Sequence, residues 1–187
     1  SSCDTCVENH PWLATVIVSD KDGGSPQVFA EGLRNAVFIK ANPSTNKLWG
    51  VEMGRDFLGD DKQPDEINII EDRHYGWPYC YGNKLFDFTF GEGEQSFCDS
   101  TASPVYEIQA HSAPLGLNFI DSPSFPQNWQ GDLLVAYHGS WNRSTPVGYK
   151  VVRLGVDDDK VVYEEDFLTG FLQNETALGR PVDLEFG

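Results

Sequence analysis

Between Gly32 and Gly82 the chain concentrates residues that can bind anions, cations or protons: Arg34 and Asn35, then Arg55 and Asp56, then Asp60, Asp61, Asp65 and Glu66. A guanidinium fork beside a carboxamide suits carboxylate oxygens. The carboxylates suit a hard cation such as calcium, or form a plain solvated acidic loop. Gly32, Gly50, Gly54, Gly59, Gly76 and Gly82 separate short apolar runs at 36–39, 48–51 and 67–70. That punctuation, with no helical periodicity, predicts short strands joined by tight turns. The charged residues then fall at strand ends, where loops on a rigid sheet commonly carry function.

The remaining composition narrows the class. The 187 residues include 29 acidic and 13 basic side chains, a formal net charge of -16, so the basic stripe that nucleic acid requires is missing. Cations are the natural companions of such a surface. No apolar run approaches the roughly 18 residues of a membrane span. No serine or cysteine elbow with a nearby histidine pattern appears, which argues against a nucleophilic hydrolase. Of four cysteines, Cys3 and Cys6 form one close pair, whereas Cys80 and Cys98 lie 18 positions apart and do not supply the second close pair a zinc site would want. Val7 after Cys6 excludes the haem-attachment pattern. Disulfides, Cys80 with Cys98 and Cys3 with Cys6, fit better and point to an oxidising compartment, extracellular or periplasmic. Asn142-Arg-Ser and Asn174-Glu-Thr match the glycosylation acceptor pattern. The opening SSCDTC resembles neither a signal peptide nor a translational start.

Three segments repeat: 34–39, 112–119 and 180–186 each read as a short alternating strand. The first two are followed by a second strand closing on glycine, at 48–54 and 133–139. A third strand type recurs too, 14–20 leading through a turn to 27–33, and 149–154 leading through 157–159 to 161–171. Spacings of about 70 to 80 residues between equivalents suit four-stranded blades with loop insertions. The fold expected is all-β, about half of a β-propeller: outer strands of one blade in 1–33, a blade in 34–110, a blade in 113–171 and the first strand of the next in 180–187. The rest of the ring would lie elsewhere in the same chain or in a companion chain.

GLRN (32–35), GRDFLGDD (54–61), DEINII (65–70), HYGWPYCYG (74–82), APLGLNF (113–119) and YHGSWNR (137–143) together resemble the glucose/sorbosone dehydrogenase family, soluble six-bladed β-propellers that use pyrroloquinoline quinone (PQQ). The likeness runs along nearly the whole chain and is closest in flavour to the sorbosone and fungal pyranose dehydrogenase branch. It implies that Arg34 and Asn35 contact PQQ; an ion pair of Arg34 with Asp56 or Glu52 is the structural alternative. It implies that the main-chain carbonyls of Gly54 and Arg55 hold the calcium that also binds PQQ, the Arg55 side chain being balanced by a neighbouring acid such as Asp56. Glu66 and the Tyr75 carbonyl resemble a second, structural calcium site, against an ordinary solvated Glu66. Asn142 and Arg143 are expected to face the central funnel in place of a lysine of other members, with Trp141 read as blade packing in preference to sugar stacking. Arg180 matches a late PQQ-contacting arginine. Val37 and Val182 stand where the glucose branch has polar cofactor contacts.

In this family a histidine takes the proton from the sugar hydroxyl as hydride passes to the quinone. It is expected upstream of this segment, since none of His10, His74, His111 or His138 matches it. His74 reads as structural, and His111 and His138 as hydrogen-bonded residues near the blade tops. Two functions follow: the C-terminal portion of a secreted, calcium- and PQQ-dependent sugar dehydrogenase that passes electrons to an external acceptor, or a propeller that keeps the scaffold and serves as a non-catalytic extracellular binding or assembly module.

Overall fold

The computed structural model describes residues 3, 4, 7, 9–90 and 95–187. Its strands, in chain order, are β1 (Thr15–Val18), β2 (Gln27–Glu31), β3 (Ile39–Ala41), β4 (Leu48–Glu52), β5 (Asp65–Ile70), β6 (Cys80–Tyr81), β7 (Leu85–Phe86), β8 (Tyr106–Ile108), β9 (Pro114–Phe119), β10 (Leu133–Tyr137), β11 (Lys150–Asp157), β12 (Lys160–Leu168), β13 (Leu172–Gln173) and β14 (Thr176–Ala177). One short helix, α1 (Gln95–Ser100), interrupts them. No helix among the described residues is long and apolar enough to cross a membrane.

Two antiparallel four-stranded sheets dominate, β3-β4-β5-β8 and β9-β10-β11-β12, with β1-β2, β6-β7 and β13-β14 as separate hairpins. They pack face to face because each presents an apolar face to the other. Trp49, Val51, Ile67 and Ile108 of the first sheet meet Leu117, Phe119, Leu133, Val135, Val152 and Leu154 of the second, all buried. Trp49 and Phe119 cross this interface edge to face, ring centroids 5.5 Å apart. Such fully buried side chains each contribute roughly 1.5–3 kcal/mol through apolar burial.

Two expected strands differ from what the chain forms. The segment 34–38 is not a strand, and β3 begins only at Ile39; Arg34 is instead drawn into side-chain bonds with Met53 O and Gly54 O. The 180–186 segment lies against β9 without a ladder, held by Gly116 N to Val182 O at 2.7 Å and Asn118 Nδ2 to Leu184 O at 3.4 Å. Gly116 permits that approach, since a Cβ there would meet the Asp183 Cα at 2.4 Å.

The Cys80–Cys98 disulfide forms, linking β6 to α1 across 18 positions. Cys6, and with it the Cys3–Cys6 pairing, lies outside the described residues. Closing a loop of this length stabilises by about 2–3 kcal/mol. Converting both Cys80 and Cys98 to Ser is therefore expected to lower the melting temperature by about 4–12 °C, measured by calorimetry; an unchanged melting point would show the bridge to be energetically idle.

The two sequons sit in different settings. Asn174 is exposed at the tip of the β13-β14 hairpin, whereas Asn142 is half-buried beside Arg143. Expressed through a eukaryotic secretory pathway, the chain is expected to carry glycan at Asn174 in preference to Asn142, as peptide mass mapping would reveal. Dominant occupancy at Asn142 would contradict this.

Candidate active site

At one end of the two sheets, where β4 and β10 finish and β5 and β9 begin, the loops enclose a cavity of about 450 Å³. Its walls bring together Arg34, Asn35, Gly54, Arg55 and Arg180, residues up to 146 positions apart in the chain. Volume and mixed polar lining are those of a small-molecule site.

Arg34 is the most constrained of these. Its side chain is 7 % exposed and pairs with Asp4 Oδ1 at 2.5 Å, while Nη1 donates to Met53 O at 3.1 Å and Gly54 O at 2.8 Å. The indole of Trp77 lies 5.5 Å from the guanidinium carbon. The side-chain partner is thus Asp4, and neither Asp56 nor Glu52; Glu52 instead accepts the Arg34 backbone N–H at 2.5 Å. Arg180 also lines the cavity, donating to Gly139 O at 2.7 Å and to Tyr149 Oη at 3.1 Å, and stacks 4.7 Å from the Tyr149 ring. Gly139, at φ 99°, is required there, because a Cβ would run into that ring at 2.5 Å.

The acid that balances Arg55 is Asp87, not Asp56. A fork of Nε to Oδ2 at 2.7 Å and Nη2 to Oδ1 at 3.1 Å joins them, with Thr89 Oγ1 and Gln63 Nε2 completing a buried network. Burial raises Asp87, but the bonds from Arg55 and Thr89 outweigh it and hold the carboxyl below its usual range. Asp56 turns instead to His111, whose Nδ1 lies 3.0 Å from the carboxylate and whose Nε2 lies 2.9 Å from Gly59 O. With both ring nitrogens engaged, His111 is held in the cavity wall. His138 Nδ1 lies 3.1 Å from Pro181 O. His74 accepts from Gly76 N at 2.9 Å and lies away from this cavity.

Asp65, one of the carboxylates that the sequence singles out without a specific role, lines the cavity. Its two oxygens accept Gly54 N at 2.8 Å and Ala113 N at 2.7 Å, clamping the end of β4 to the start of β9. Burial nevertheless pushes its carboxyl up to about 7.

Behind Arg34 lies a small hollow lined by Gly32, Glu52, Glu66 and Tyr75 among others. Glu52 and Glu66 face each other across β4 and β5 and are both buried. Glu66 accepts from Gly82 N at 2.6 Å and Asn68 Nδ2 at 3.1 Å, and burial raises it to about 7. Burial first, and then the Glu66 charge, push Glu52 well above the ordinary carboxylate range. Glu52 Oε2 and Asn68 Oδ1 are buried acceptors with no donor among the described residues. Glu66 is therefore not a solvated surface acid. Glu52 was missed as a partner, although the antiparallel register that places Leu48 opposite Ile70 also places it opposite Glu66.

Asn142 and Arg143 do not line the main cavity. They border an adjoining hollow with Phe57, Asp60 and Ser144, where Arg143 donates to Asp60 O and Asp61 Oδ1. Trp141 is 68 % exposed, so it is not packing between blades; it lines both cavity and hollow. Val37 and Val182, at 52 % and 47 % exposure, do not line the main cavity.

A family model described as TrAA12-like matches residues 18–166. An uncharacterized protein of Borreliella burgdorferi is 38% identical over 163 residues, 84% of this chain and 43% of that protein. Aldose sugar dehydrogenase YliI of Escherichia coli is 29% identical over 151 residues, 80% of this chain and 37% of that one. Among solved structures, the holo form of the pyranose dehydrogenase PQQ domain from Coprinopsis cinerea superposes with a TM-score of 0.73 at 23% identity, over 91% of this chain and 55% of that one. The chain thus spans less than half the length of these two sequence relatives.

Proposed function

The chain belongs to the TrAA12-like family, and from that premise we propose that it is a portion of a secreted, calcium- and PQQ-dependent sugar dehydrogenase. The observation that carries this reading is the convergence of Arg34, Asn35 and Arg180 on one cavity of about 450 Å³. PQQ is a planar tricarboxylate with an ortho-quinone, and two guanidiniums and a carboxamide lining one cavity match its charge and its acceptor atoms. When bound, PQQ supplies a quinone that takes up hydride from the sugar.

The residues present would each do something definite. Arg180, held by the Gly139 carbonyl and Tyr149 Oη, would hold one carboxylate, and Arg34 would hold another where the ligand displaces Asp4 from its Nη2. Asn35 would donate beside Arg34. Asp65 holds the Gly54 carbonyl in place through the Gly54 N–H, so that Gly54 and Arg55 could offer carbonyl oxygens to a calcium ion. Asp56 and Gly59 keep His111 from swinging into the cavity. The orphaned oxygens of Glu52 and Asn68, with Glu66 and the Tyr75 carbonyl, fit a second calcium, a cation that favours oxygen ligands. The two large sheets read as two blades of a six-bladed propeller, 34–110 and 113–171, completed by 1–33, 180–187 and the remainder of the ring. The proton-accepting histidine and the site for the external electron acceptor would belong to that remainder.

One observation favours the non-catalytic alternative: Arg34 already has an anion, Asp4, at 2.5 Å, and its Nη1 occupies the Gly54 carbonyl that calcium would need. Reconstitution with calcium and PQQ, followed by dye reduction with an aldose, separates the two. The dehydrogenase reading expects turnover that depends on both additions. A folded, complete protein that takes up neither would be the binding module.

A further inference from the structure

Three carboxylates stand abreast on the first sheet: Glu52 of β4 lies opposite Glu66 of β5, and Glu66 opposite Glu107 of β8. Two of them grip consecutive amides of one turn, Glu66 Oε1 accepting Gly82 N and Glu107 Oε1 accepting Asn83 N, each at 2.6 Å. We propose that the β6-β7 hairpin carrying this turn is a lever: a divalent cation held between Glu52 and Glu66 fixes the hairpin tip, and the hairpin foot, Asp87, fixes the Arg55 wall of the main cavity.

The tip is seated closely on its carboxylates. Gly82 has φ 52°, and a Cβ there would lie 2.7 Å from Glu107 Oε1 and 3.2 Å from Pro64 Cγ. The same grip is opposed by charge. Carboxylates directly opposite on neighbouring strands repel, and Glu52 Oε2 finds no donor among the described residues. A cation in that hollow supplies the countercharge and keeps Glu66 aimed at Gly82. Without it, repulsion from Glu52 loosens the very carboxylate that holds the tip.

The hairpin transmits because it is short and stiff. Cys80 pairs with Phe86 and Tyr81 with Leu85, and the Cys80–Cys98 bridge fastens the hairpin to α1. Lys84 bonds that helix twice, Nζ donating to Asp99 O at 2.8 Å and its carbonyl accepting Gln95 Nε2 at 2.9 Å. Asp87 follows β7 directly, and its N–H closes the foot on Tyr79 O at 2.7 Å. Its carboxylate forks onto Arg55 and accepts Gln63 Nε2 at 3.0 Å, while Gln63 Oε1 accepts Arg55 N at 3.2 Å. Arg55 and Gln63 line the cavity, whereas Asp87 does not. Both members of the Arg55–Asp87 pair are 2 % exposed, and a buried pair does not part without leaving an uncompensated charge, so foot and wall move together. Asp87 is thus a positioning residue that acts on the cavity through Arg55 and Gln63.

This inference rests on the reading of the hollow as a cation site, but its test does not need PQQ. Amide hydrogen exchange of the cofactor-free protein, in calcium and in chelator, is read at Gly82, Asn83 and Arg55 for wild type, Glu66→Gln, Asp87→Asn and Glu107→Ala. In wild type, calcium is expected to slow exchange at all three amides by at least about tenfold. Glu66→Gln loses that protection at all three, whereas Asp87→Asn keeps it at Gly82 and Asn83 and loses it at Arg55. Glu107→Ala leaves the buried Arg55–Asp87 pair intact and, in calcium, speeds exchange at Asn83 and more weakly at Arg55, which decides the matter if Asp87→Asn does not fold. Calcium protection of Arg55 that persists in Glu66→Gln would mean that the wall answers to a cation of its own, and would overturn the lever. A protected tip with an unaltered Arg55 in wild type, or calcium without effect at the tip, would overturn it equally. The full pattern without PQQ uptake would uphold the lever and sink the dehydrogenase reading alone.

Discussion

Replacing Arg34 with Ala is expected to weaken PQQ binding by about two to three orders of magnitude, the loss of one buried, charge-assisted bidentate contact. The side chain is 7 % exposed and anchored at Met53 O and Gly54 O, and Asp4 holds the position that a ligand carboxylate would take. The substitution also strands Asp4 and two carbonyls, and some loss of stability accompanies it. Arg34→Lys separates the two effects. A point charge without the fork keeps much of the stability but recovers little of the affinity. Equilibrium dialysis of PQQ against wild type and both variants reads this directly, and equal affinity in all three would remove Arg34 from the site.

The second large effect is a coupling between pH, calcium and stability. Asp65 and Glu66 have folded values of about 7 against ordinary values of 3.8 and 4.5. Both are acids raised by folding, so the folded chain binds their protons more tightly than the unfolded chain. Their stabilising contribution is complete below about pH 4 and is lost as pH rises to about 7, by about 4 kcal/mol for Asp65 and about 3 kcal/mol for Glu66. In chelator, the melting temperature is therefore expected to fall by about 10 °C between pH 5 and pH 8. Calcium, by supplying the countercharge that Glu52 and Glu66 lack, should restore most of the Glu66 share at pH 8 and little at pH 5. Glu66→Gln should shrink both the pH dependence and the calcium response. Scanning calorimetry in chelator and in millimolar calcium tests this; a flat pH profile with no cation effect would mean that the Glu52 and Glu66 pair is satisfied some other way.

What was legible in the chain follows from how local each signal is. Short apolar or alternating runs announced β4, β5, β9 and β10, two of them closing on glycine, because such patterning is written into adjacent residues. The Cys80–Cys98 bridge was legible because the alternatives for those cysteines were few. Partners across long separations were not. Asp4 reaches Arg34 over 30 positions, Asp87 reaches Arg55 over 32 and Asp56 reaches His111 over 55, and for the two arginines a nearer acid offered a simpler pairing. The 180–186 segment has a strand's alternation but no second neighbour to complete a ladder, so pattern alone overstated it. Trp141 misled for the opposite reason: an aromatic residue between small and polar ones reads as packing unless the loop that exposes it is known.

The central claim is that the cavity between the two sheets holds PQQ. Titrating the purified, folded protein with PQQ in calcium, followed by calorimetry, tests it most directly. The account predicts saturable one-to-one binding at about micromolar affinity or better, dependent on Arg34 and reduced by chelator. A protein that stays folded and shows no saturable uptake up to about millimolar PQQ would contradict it, and would leave the Arg34–Asp4 pair as a purely structural device.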